Sequence, residues 1–380
     1  MVELPESTRT AAEAARGVGC ELRQIVKSLV FQGAISGKPV LILVSGQNRV
    51  DEAWMARYLG EGLARADPEF VRSVAGYAIG GVPPTGHASP IPTYVDYDLL
   101  ELREVWAAAG HPHAVCRLTS RELLDLSQGT PVPVTPLRST QSSAAPWMTF
   151  DCYGTLVDWR TGLLHQLERT EGVHTRADGE RLFRAYLREE QALEADRYRP
   201  YREVMTRALL EAARSEGLTL SEPQAAEVPE SIPDWPPFPD TLPAWDDLRK
   251  RGFQLGILSN IDTDLLERTL GNLGLRADGV VTAQEVGSYK PAWGHWIRFL
   301  KRTAQAPGEV WHVSGSYEYD IEPARALGFR TVYVDRYGGP PAGKEVGLVV
   351  DRLSGLADRV PPVQPSSVSH SPSSDGHPPS

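Results

Sequence analysis

The sequence predicts an α/β protein: a parallel sheet with helices on both faces and a helical insertion, preceded by a separate mixed α+β unit. From residue 147 onward, short buried-strand patterns alternate with helical patterns, which is typical of parallel sheets. A helix-rich stretch over about residues 162–240 follows the first of these strands. A polar, proline-punctuated linker at residues 136–146 separates this part, residues 147–350, from residues 1–135.

The composition is that of ordinary globular domains. The 380 residues are 41% hydrophobic and 23% charged, which suits two domains of usual size. A formal net charge of -10 argues against broad affinity for nucleic acid, although it does not exclude a local basic groove. Three cysteines without CxxC spacing indicate neither a disulfide framework nor a zinc site. Because no apolar run spans a bilayer and the N-terminus lacks signal character, we expect a cytoplasmic protein without membrane contact.

The N-terminal unit begins with an alanine-rich helix and a strand that places Lys27 on one face with Ile25, Leu29 and Phe31. On the pattern alone, such a lysine is an edge-strand residue or one whose amine reaches solvent. Helices are predicted at residues 7–23, 51–63, 99–109 and 119–126, and strands at 24–31, 39–46, 93–96 and 113–118.

Two further features of this unit bear on its core and its ligands. The helix predicted over residues 51–63 should turn Trp54, Tyr58 and Leu59 inward. Residues 76–87 are too rich in glycine and proline for a regular element, and such loops bring backbone close to a ligand.

These N-terminal features resemble the YbaK/prolyl-tRNA-editing domain family. The similarity rests on the alanine-rich helix, the strand around Lys27, a Gly-x-x-x-Pro pattern from Gly80 to Pro84, and a Tyr-Val-Asp strand. In that family, residues matching Lys27, Gly80, Gly81 and Pro84 hold the aminoacyl ester of a mischarged tRNA while water cleaves it. The resemblance implies a functional Lys27 and aminoacyl-tRNA as a partner.

In the C-terminal part, polar residues follow the predicted strands. Asp151 ends the short strand that begins at Trp147, Ser259 and Asn260 end strand 253–258, and Asp320 lies in the strand-end segment 310–321, whereas Lys290 stands before a proline. Because the carboxyl ends of parallel strands meet at one edge of the sheet, a ligand site is expected there. A carboxylate can act as a nucleophile, a lysine can keep it ionised, and a hydroxyl or an amide can hold substrate oxygens.

The order of these residues resembles the haloacid dehalogenase (HAD) superfamily, in its dehalogenase-like branch. The similarity begins with the motif Asp-x-Tyr-Gly-Thr-Leu-x-Asp at Asp151 and extends to about residue 340. It implies a Rossmann-like core with a helical cap over about residues 162–240. In haloacid dehalogenases, the residue matching Asp151 is the nucleophile. Substrate is bound by residues matching Thr155, Ser259 and Asn260, and charge and water are supported by those matching Lys290 and Asp320.

Two departures separate the chain from HAD phosphatases. Tyr153 stands where phosphatases carry a second aspartate as general acid, and Gly315 stands where they usually carry an acid that helps to bind magnesium. With Asp151 and Asp320 alone, a magnesium site lacks its usual carboxylate oxygens. No metal or cofactor is therefore expected, Tyr153 is placed among the substrate-binding residues, and a phosphatase is a disfavoured alternative. A HAD domain kept only for binding is another alternative.

Six arginines crowd the predicted cap. Most of them should form a solvated helix face, but one or two are candidates to clamp a substrate carboxylate, because a guanidinium fork suits that geometry. They are Arg181, Arg184, Arg188, Arg197, Arg199 and Arg202.

The sequence thus predicts a hydrolase that displaces a leaving group at the α-carbon of a small 2-substituted carboxylic acid through an aspartyl ester, fused to an aminoacyl-tRNA deacylase. HAD relatives include hydrolases of azetidine-2-carboxylate, a proline mimic, which is an alternative substrate. A trans-editing deacylase with a secondary HAD module is another alternative. The tail, residues 351–380, is expected to be disordered from about residue 358.

Overall fold

The computed structural model describes residues 1–3, 10–137, 145–170, 173, 175–339 and 343–360. The described strands form two sheets, one on each side of the predicted linker, of which residues 138–144 lie outside the described part. This arrangement confirms the predicted α/β class with a separate N-terminal unit. None of the described helices is both long and apolar enough to cross a membrane.

The N-terminal sheet is mixed, with strand order β1-β7-β6-β2-β3-β5-β8 and β4 paired to β2. Its centre is the antiparallel pair β2 and β3, in which Lys27 lies opposite Val44. The elements are β1 (Val2–Glu3), α1 (Ala11–Val18), β2 (Ile25–Gly33), β3 (Pro39–Ser45), α2 (Glu52–Leu59), β4 (Leu63–Arg65), α3 (Pro68–Ala75), β5 (Thr93–Asp96), α4 (Tyr97–Leu100), β6 (Glu104–Ala108), β7 (Ala114–Thr119), α5 (Ser120–Ser127) and β8 (Thr130–Val132).

The C-terminal sheet is parallel throughout, with strand order β11-β10-β9-β12-β13-β14. All four residues of β9 are buried, as expected for a central strand covered on both faces. The elements are β9 (Trp147–Phe150), α10 (Thr241–Lys250), β10 (Gln254–Ser259), α11 (Thr263–Leu273), β11 (Gly279–Thr282), α12 (Ala283–Val286), α13 (Gly294–Thr303), β12 (Val310–Ser314), α14 (Glu322–Ala326), β13 (Arg330–Val334), β14 (Leu348–Val350) and α15 (Leu356–Arg359).

The strand order reverses at β9, because the chain runs outward to β10 and β11 and then returns to place β12 on the other side. Such a reversal opens a crevice beyond the carboxyl ends of the two central strands. Over this crevice lies the cap, whose helices are amphipathic and bury their apolar stripes against each other. The cap helices are α6 (Trp159–Glu168), α7 (Arg176–Asp196), α8 (Tyr201–Ser215) and α9 (Glu222–Glu227).

The two units contact each other through α13. Lys301 of this helix donates to Glu101 Oε2 at 2.7 Å and forms an ion pair with Asp98, both on the N-terminal unit. Trp293 and other residues of the C-terminal unit pack in one apolar cluster with Val26 and other residues of the N-terminal unit. The interface therefore has an apolar part and a charged rim.

Several local predictions were wrong. The helix predicted over residues 99–109 does not form: α4 ends at Leu100, and β6 pairs with β2 and β7 and buries Val105 and Ala107 on one face. In α2 the fully buried residue is Met55, whereas Tyr58 is 46% exposed. The described part of the chain closes with α15 and the fully buried Val360. The predicted disorder of residues 361–380 lies outside the described residues.

Candidate active site

A cavity of about 590 Å³ lies between the cap and the carboxyl ends of β9, β10 and β12. Asp151, Lys290 and Asp320 all line it, although they are separated by up to 169 positions in the chain (320 minus 151). The parallel strands bring them together, as predicted from their positions at the strand ends.

Lys290 is the centre of the charged group. Its ammonium donates to Asp151 Oδ1 at 2.9 Å and to Asp320 Oδ1 at 2.6 Å. The three side chains are almost removed from solvent, with exposures of 2% for Lys290, 8% for Asp151 and 1% for Asp320. A buried ammonium shared by two carboxylates leaves one net negative charge in the site.

The pKa values follow from this geometry. Burial raises the pKa of Asp151 above its ordinary value, and Lys290 opposes that effect. Burial alone would raise the pKa of Asp320, but Lys290 and His312 outweigh it and hold this pKa at about 2. Burial would lower the pKa of Lys290, but the two aspartates raise it instead. Lys290 therefore stays charged beside both carboxyl groups.

Thr155 acts behind the nucleophile rather than at the cavity wall. Its hydroxyl donates to Asp151 Oδ2 at 2.8 Å and accepts a hydrogen bond from the Gly315 backbone N–H at 3.0 Å. The residue is fully buried and does not line the cavity. Thr155 thus orients Asp151, and the expectation that it binds substrate is not supported by its position.

Ser259 and Asn260 both line the cavity but differ in their partners. The Ser259 hydroxyl is buried and has no hydrogen-bond partner among the described residues. Asn260 Oδ1 accepts from the Lys290 backbone N–H at 2.7 Å, and its Nδ2 donates to the Lys290 carbonyl at 3.3 Å. Ser259 is therefore free to bind a ligand, whereas Asn260 mainly fixes the backbone of Lys290.

Tyr153 lines the cavity, but its hydroxyl already has a partner within the protein. The hydroxyl hydrogen bonds with Thr269 Oγ1 at 2.8 Å, and the ring packs edge-on against Trp235. Burial raises the pKa of this phenol well above its ordinary value. Tyr153 is thus an apolar wall that offers no proton to a leaving group.

The residues present do not fit a magnesium ion. A Cβ built on Gly315 would lie 2.5 Å from the Gly154 carbonyl oxygen, so no acidic side chain can be accommodated there. The Lys290 ammonium already lies between Asp151 and Asp320. No group of three or more potential metal ligands occurs among the described histidines, cysteines, aspartates and glutamates.

The cap arginines do not reach the cavity, so the predicted carboxylate clamp is wrong for the described residues. Arg199 is buried, but it binds Asp196 and the backbone carbonyls of residues 193 and 197. Arg202 pairs with Glu230 and Asp264 at the cap surface. The other four arginines also lie away from the described wall of the cavity. The prediction of a clamp fails because helical periodicity does not specify which face of a helix meets a cavity.

The cap instead contributes acidic residues that the sequence did not reveal. Glu190 and Glu194 on α7 line the cavity, and both are half-buried. Burial raises the pKa of both carboxyl groups, and Glu190 raises that of Glu194 further. Tyr201 donates to Glu190 Oε1 at 2.6 Å and Tyr186 donates to the same oxygen. Glutamates inside an amphipathic helix give no sequence signal that distinguishes them from solvated ones.

His312 is a second residue that the sequence did not single out. It is fully buried in β12, with Nε2 3.0 Å from Asp320 Oδ1 and Nδ1 2.9 Å from Thr149 Oγ1. Burial lowers its pKa. The ring therefore orients Asp320, and the only signal available was a polar side chain between apolar neighbours in a buried strand.

A second cavity, of about 470 Å³, lies in the N-terminal unit and is lined by Lys27, Arg49 and Gly80. The Lys27 ammonium donates to the backbone carbonyl of Asn48. Burial lowers the pKa of Lys27, although Asp96 acts in the opposite direction. Gly81 and Pro84 are buried and do not line this cavity.

The N-terminal cavity is supported by an amide and two carboxylates that the motif did not identify as a group. Asn48 Nδ2 donates to Asp96 Oδ2 at 2.8 Å and to Asp98 Oδ2 at 2.7 Å. Burial raises the pKa of Asp96 to about 6, with a further contribution from Asp98. This network fixes the backbone carbonyl that receives the Lys27 ammonium.

Residues 5–126 match the family model described as the aminoacyl-tRNA editing domain. Over this part the chain is similar to a solved structure described as a candidate trans-editing enzyme for prolyl-tRNA synthetase. The two are 55% identical over 35% of this chain and 83% of that chain, with a TM-score of 0.33.

Residues 147–328 match the family model described as haloacid dehalogenase-like hydrolase. The chain is 26% identical to (S)-2-haloacid dehalogenase 4A of Burkholderia cepacia over half of its length and 84% of the relative. It is also similar to the crystal structure of a dehalogenase, at 24% identity and a TM-score of 0.51, covering 58% of this chain and 99% of that chain. Both predicted resemblances are confirmed: the chain joins an N-terminal domain of the aminoacyl-tRNA editing family to a C-terminal hydrolase domain of the haloacid dehalogenase-like family.

Proposed function

We propose that the Asp151 carboxylate displaces a leaving group from the α-carbon of a small carboxylic acid and forms an aspartyl ester that water then hydrolyses. The observation that carries this proposal is the placement of Asp151 at the cavity with Lys290 2.9 Å away and no acid at position 153. A lysine at this distance favours the ionised, nucleophilic carboxylate. Because the site offers no proton donor, it suits a leaving group that departs with its electron pair and does not need to be protonated.

In the first step an Asp151 oxygen forms a bond to the α-carbon, and the bond from that carbon to the leaving group breaks. In the second step water attacks the ester carbonyl of Asp151, which releases a 2-hydroxy acid, regenerates the carboxylate and frees one proton. Lys290 and the Thr155 hydroxyl contact the Asp151 oxygens and stabilise the charge that develops on them. Asp320 orients Lys290 and lines the region where the water would approach.

The proposed reaction uses neither magnesium nor phosphoryl transfer. Tyr153 and Gly315 occupy the positions that would complete a phosphatase site, and the space at Gly315 excludes a carboxylate side chain. Two substrates fit the chemistry: a 2-haloacid such as 2-chloropropionate, and azetidine-2-carboxylate, whose strained ring carries its own leaving nitrogen.

The test is a single-turnover reaction in water enriched in ¹⁸O, with chloride and amine release as readouts. We expect one ¹⁸O atom to enter Asp151 of the native enzyme, because water attacks the carbonyl carbon of the ester. Asp151→Asn should lose turnover, whereas the matched surface variant Asp351→Asn should retain it. Full turnover by Asp151→Asn, or the absence of label in Asp151, would contradict the mechanism.

For the N-terminal domain, the lysine-lined cavity supports a second activity, the hydrolysis of aminoacyl-tRNA esters. Lys27 and Gly80 line a cavity large enough for an amino-acid side chain, and a cationic lysine there can hold an ester or phosphate oxygen. We expect Lys27→Met to abolish deacylation of mischarged tRNA and to leave turnover at Asp151 unchanged. Unchanged deacylation would remove Lys27 from the site.

A further inference from the structure

The cavity around Lys27 is connected to the hydrolase domain by successive hydrogen bonds. The Lys27 ammonium donates to the backbone carbonyl of Asn48. The side-chain amide of Asn48 donates to Asp98 Oδ2 at 2.7 Å, and Asp98 Oδ1 accepts from Lys301. Because Lys301 lies on α13, this path begins at the N-terminal cavity and ends in the other domain.

Asn48 occupies a position from which it can orient the cavity. It lies in the loop between β3 and α2, and the next residue, Arg49, lines the cavity together with Lys27. The amide nitrogen of Asn48 donates to two carboxylates, at 2.8 Å to Asp96 and at 2.7 Å to Asp98. An ionised carboxylate only accepts hydrogen bonds, so a single orientation of the amide satisfies both acids. The backbone of Asn48 is held together with its side chain.

Lys301 supplies the charge that allows the two carboxylates to lie together. Burial and then the neighbouring charge of Asp98 raise the pKa of Asp96 to about 6. Burial alone would also raise the pKa of Asp98, but Lys301, assisted by hydrogen bonds from side-chain amides, outweighs burial and lowers it. Without this ammonium, repulsion between two partly buried acids would act against the geometry in which Asn48 bridges them.

Lys301 contacts acids of the N-terminal domain only, as far as the described residues show. Its half-buried ammonium forms an ion pair with Asp98 and donates to Glu101 Oε2 at 2.7 Å. These acids belong to α4 and its C-terminal cap, and a helix of four residues is too short to be stable by itself. The two leucines of α4 are fully buried in an apolar cluster that includes residues of α13. The hydrolase domain thus holds α4 in place by packing and by charge.

We propose that the hydrolase domain completes the N-terminal site, with Lys301 as a positioning residue for Lys27. Lys301 acts through Asp98 and Asn48, whose carbonyl keeps the Lys27 ammonium at the cavity. This inference rests on the proposed deacylase activity of the N-terminal domain, and it adds that the activity depends on the domain joined to it. Loss of the charge at position 301 releases the Asn48 loop, and Lys27 is no longer held where it meets an ester or phosphate oxygen.

The experiment measures deacylation, by the full-length protein, of a proline-specific tRNA charged with alanine, with serine or with cysteine. Lys301→Gln removes the charge and keeps a hydrogen-bond donor. We expect kcat to fall by about tenfold or more and KM to change by less than about twofold, because the change misplaces Lys27 at the ester, whereas tRNA affinity depends mainly on phosphate contacts. Lys301→Arg keeps the charge and should restore kcat to within about threefold of the native value.

Arg121→Gln is the matched control. Arg121 also pairs across the domain interface, with Glu322 at 2.8 Å, but in the described part of the chain it contacts neither Asn48 nor Asp98. This variant should leave both kcat and KM unchanged. An unchanged kcat in Lys301→Gln, an equal loss in Arg121→Gln, or no recovery in Lys301→Arg would overturn the inference.

Two further measurements separate the positioning role from folding and from the deacylase activity itself. Thermal unfolding shows whether each variant folds. If Lys301→Gln does not fold, Asp98→Asn weakens the same link from the N-terminal side and carries the same expectation. If the native protein deacylates none of these tRNAs, the proposed deacylase activity fails. The positioning role is then decided by ¹⁵N-lysine NMR: the Lys27 resonance should shift in Lys301→Gln and not in Arg121→Gln, and an unshifted resonance in Lys301→Gln would refute it.

Discussion

Each of the two cavities contains a lysine, and the two lysines are opposites. Lys290 is 2% exposed and binds two carboxylates, and its pKa is raised. Lys27 is part-buried and donates to a backbone carbonyl, and its pKa is lowered by burial. Burial acts in the same direction on both ammonium groups, so the partners decide the sign of the shift.

This difference separates a lysine that holds other groups in place from one that is available to a ligand. The charge of Lys290 is already used by Asp151 and Asp320, and its role is to keep the nucleophile ionised and oriented. Lys27 has a neutral partner, so its positive charge is left for an incoming oxygen.

The largest effect is expected for Lys290→Met. Removal of one member of a buried charged group leaves the others unpaired, which should destabilise the protein by about 3–5 kcal/mol and abolish turnover at Asp151. Lys27→Met removes one hydrogen bond and should cost only about 1 kcal/mol. Urea unfolding of both variants measures the difference, and equal losses of stability would refute the contrast.

The second largest effect is expected on the acidic side of the pH profile of the hydrolase reaction. Asp151 must be ionised to attack carbon, and burial raises its pKa above the ordinary 3.8. Activity should therefore be present above this raised pKa and should fall tenfold per pH unit below it. The profile of kcat/KM between pH 3 and 8 measures the midpoint. A midpoint below 3.8 would mean that Lys290 outweighs burial.

A third prediction compares the loops beside the two cavities. A Cβ on Gly315 would lie 2.5 Å from the Gly154 carbonyl, whereas a Cβ on Gly81 would lie 3.3 Å from the backbone of His111. Gly315→Ala should therefore cost about 1–3 kcal/mol and reduce hydrolase activity, because Gly315 also donates to Thr155. Gly81→Ala should cost less.

The control for these two substitutions is Gly271→Ala in α11, where an added Cβ meets no atom within 4 Å. This change should stabilise the helix by about 0.5–1 kcal/mol. Thermal unfolding of the three variants ranks their stabilities. A Gly315 variant as stable as the control would show that the loop around Gly315 can move.

The smallest effect is a difference in titration between the lysines. Lys27 should lose its proton at a pH below the ordinary lysine pKa of 10.5, because burial prevails there. Lys290 should lose its proton at a pH above 10.5, because its two aspartate partners prevail. NMR of ¹⁵N-lysine resonances, assigned with Lys27→Met, would follow both. The reverse order of the two midpoints would contradict the assignment of their partners.

The sequence by itself determined a large part of this molecule. The strand pattern and the motif at Asp151 predicted the parallel sheet, and the alternation of elements predicted that Asp151, Lys290 and Asp320 meet at one edge. These inferences succeed because they depend on local periodicity and on the fixed geometry of parallel strands. The helix predicted for residues 104–108 was wrong for a complementary reason. A short alanine-containing segment has only a weak local preference for helix or strand, so pairing with two distant strands decides its structure.

The tertiary structure decided which side chains face each cavity. The sequence pointed to cap arginines and to Thr155 as ligands of the substrate, but the arginines bind other groups and Thr155 lies behind Asp151. Glu190 and Glu194 line the cavity because of how α7 is rotated over the sheet, and that rotation is set by packing among the cap helices. Helical periodicity gives the faces of a helix, whereas only the packed fold determines which face meets the nucleophile.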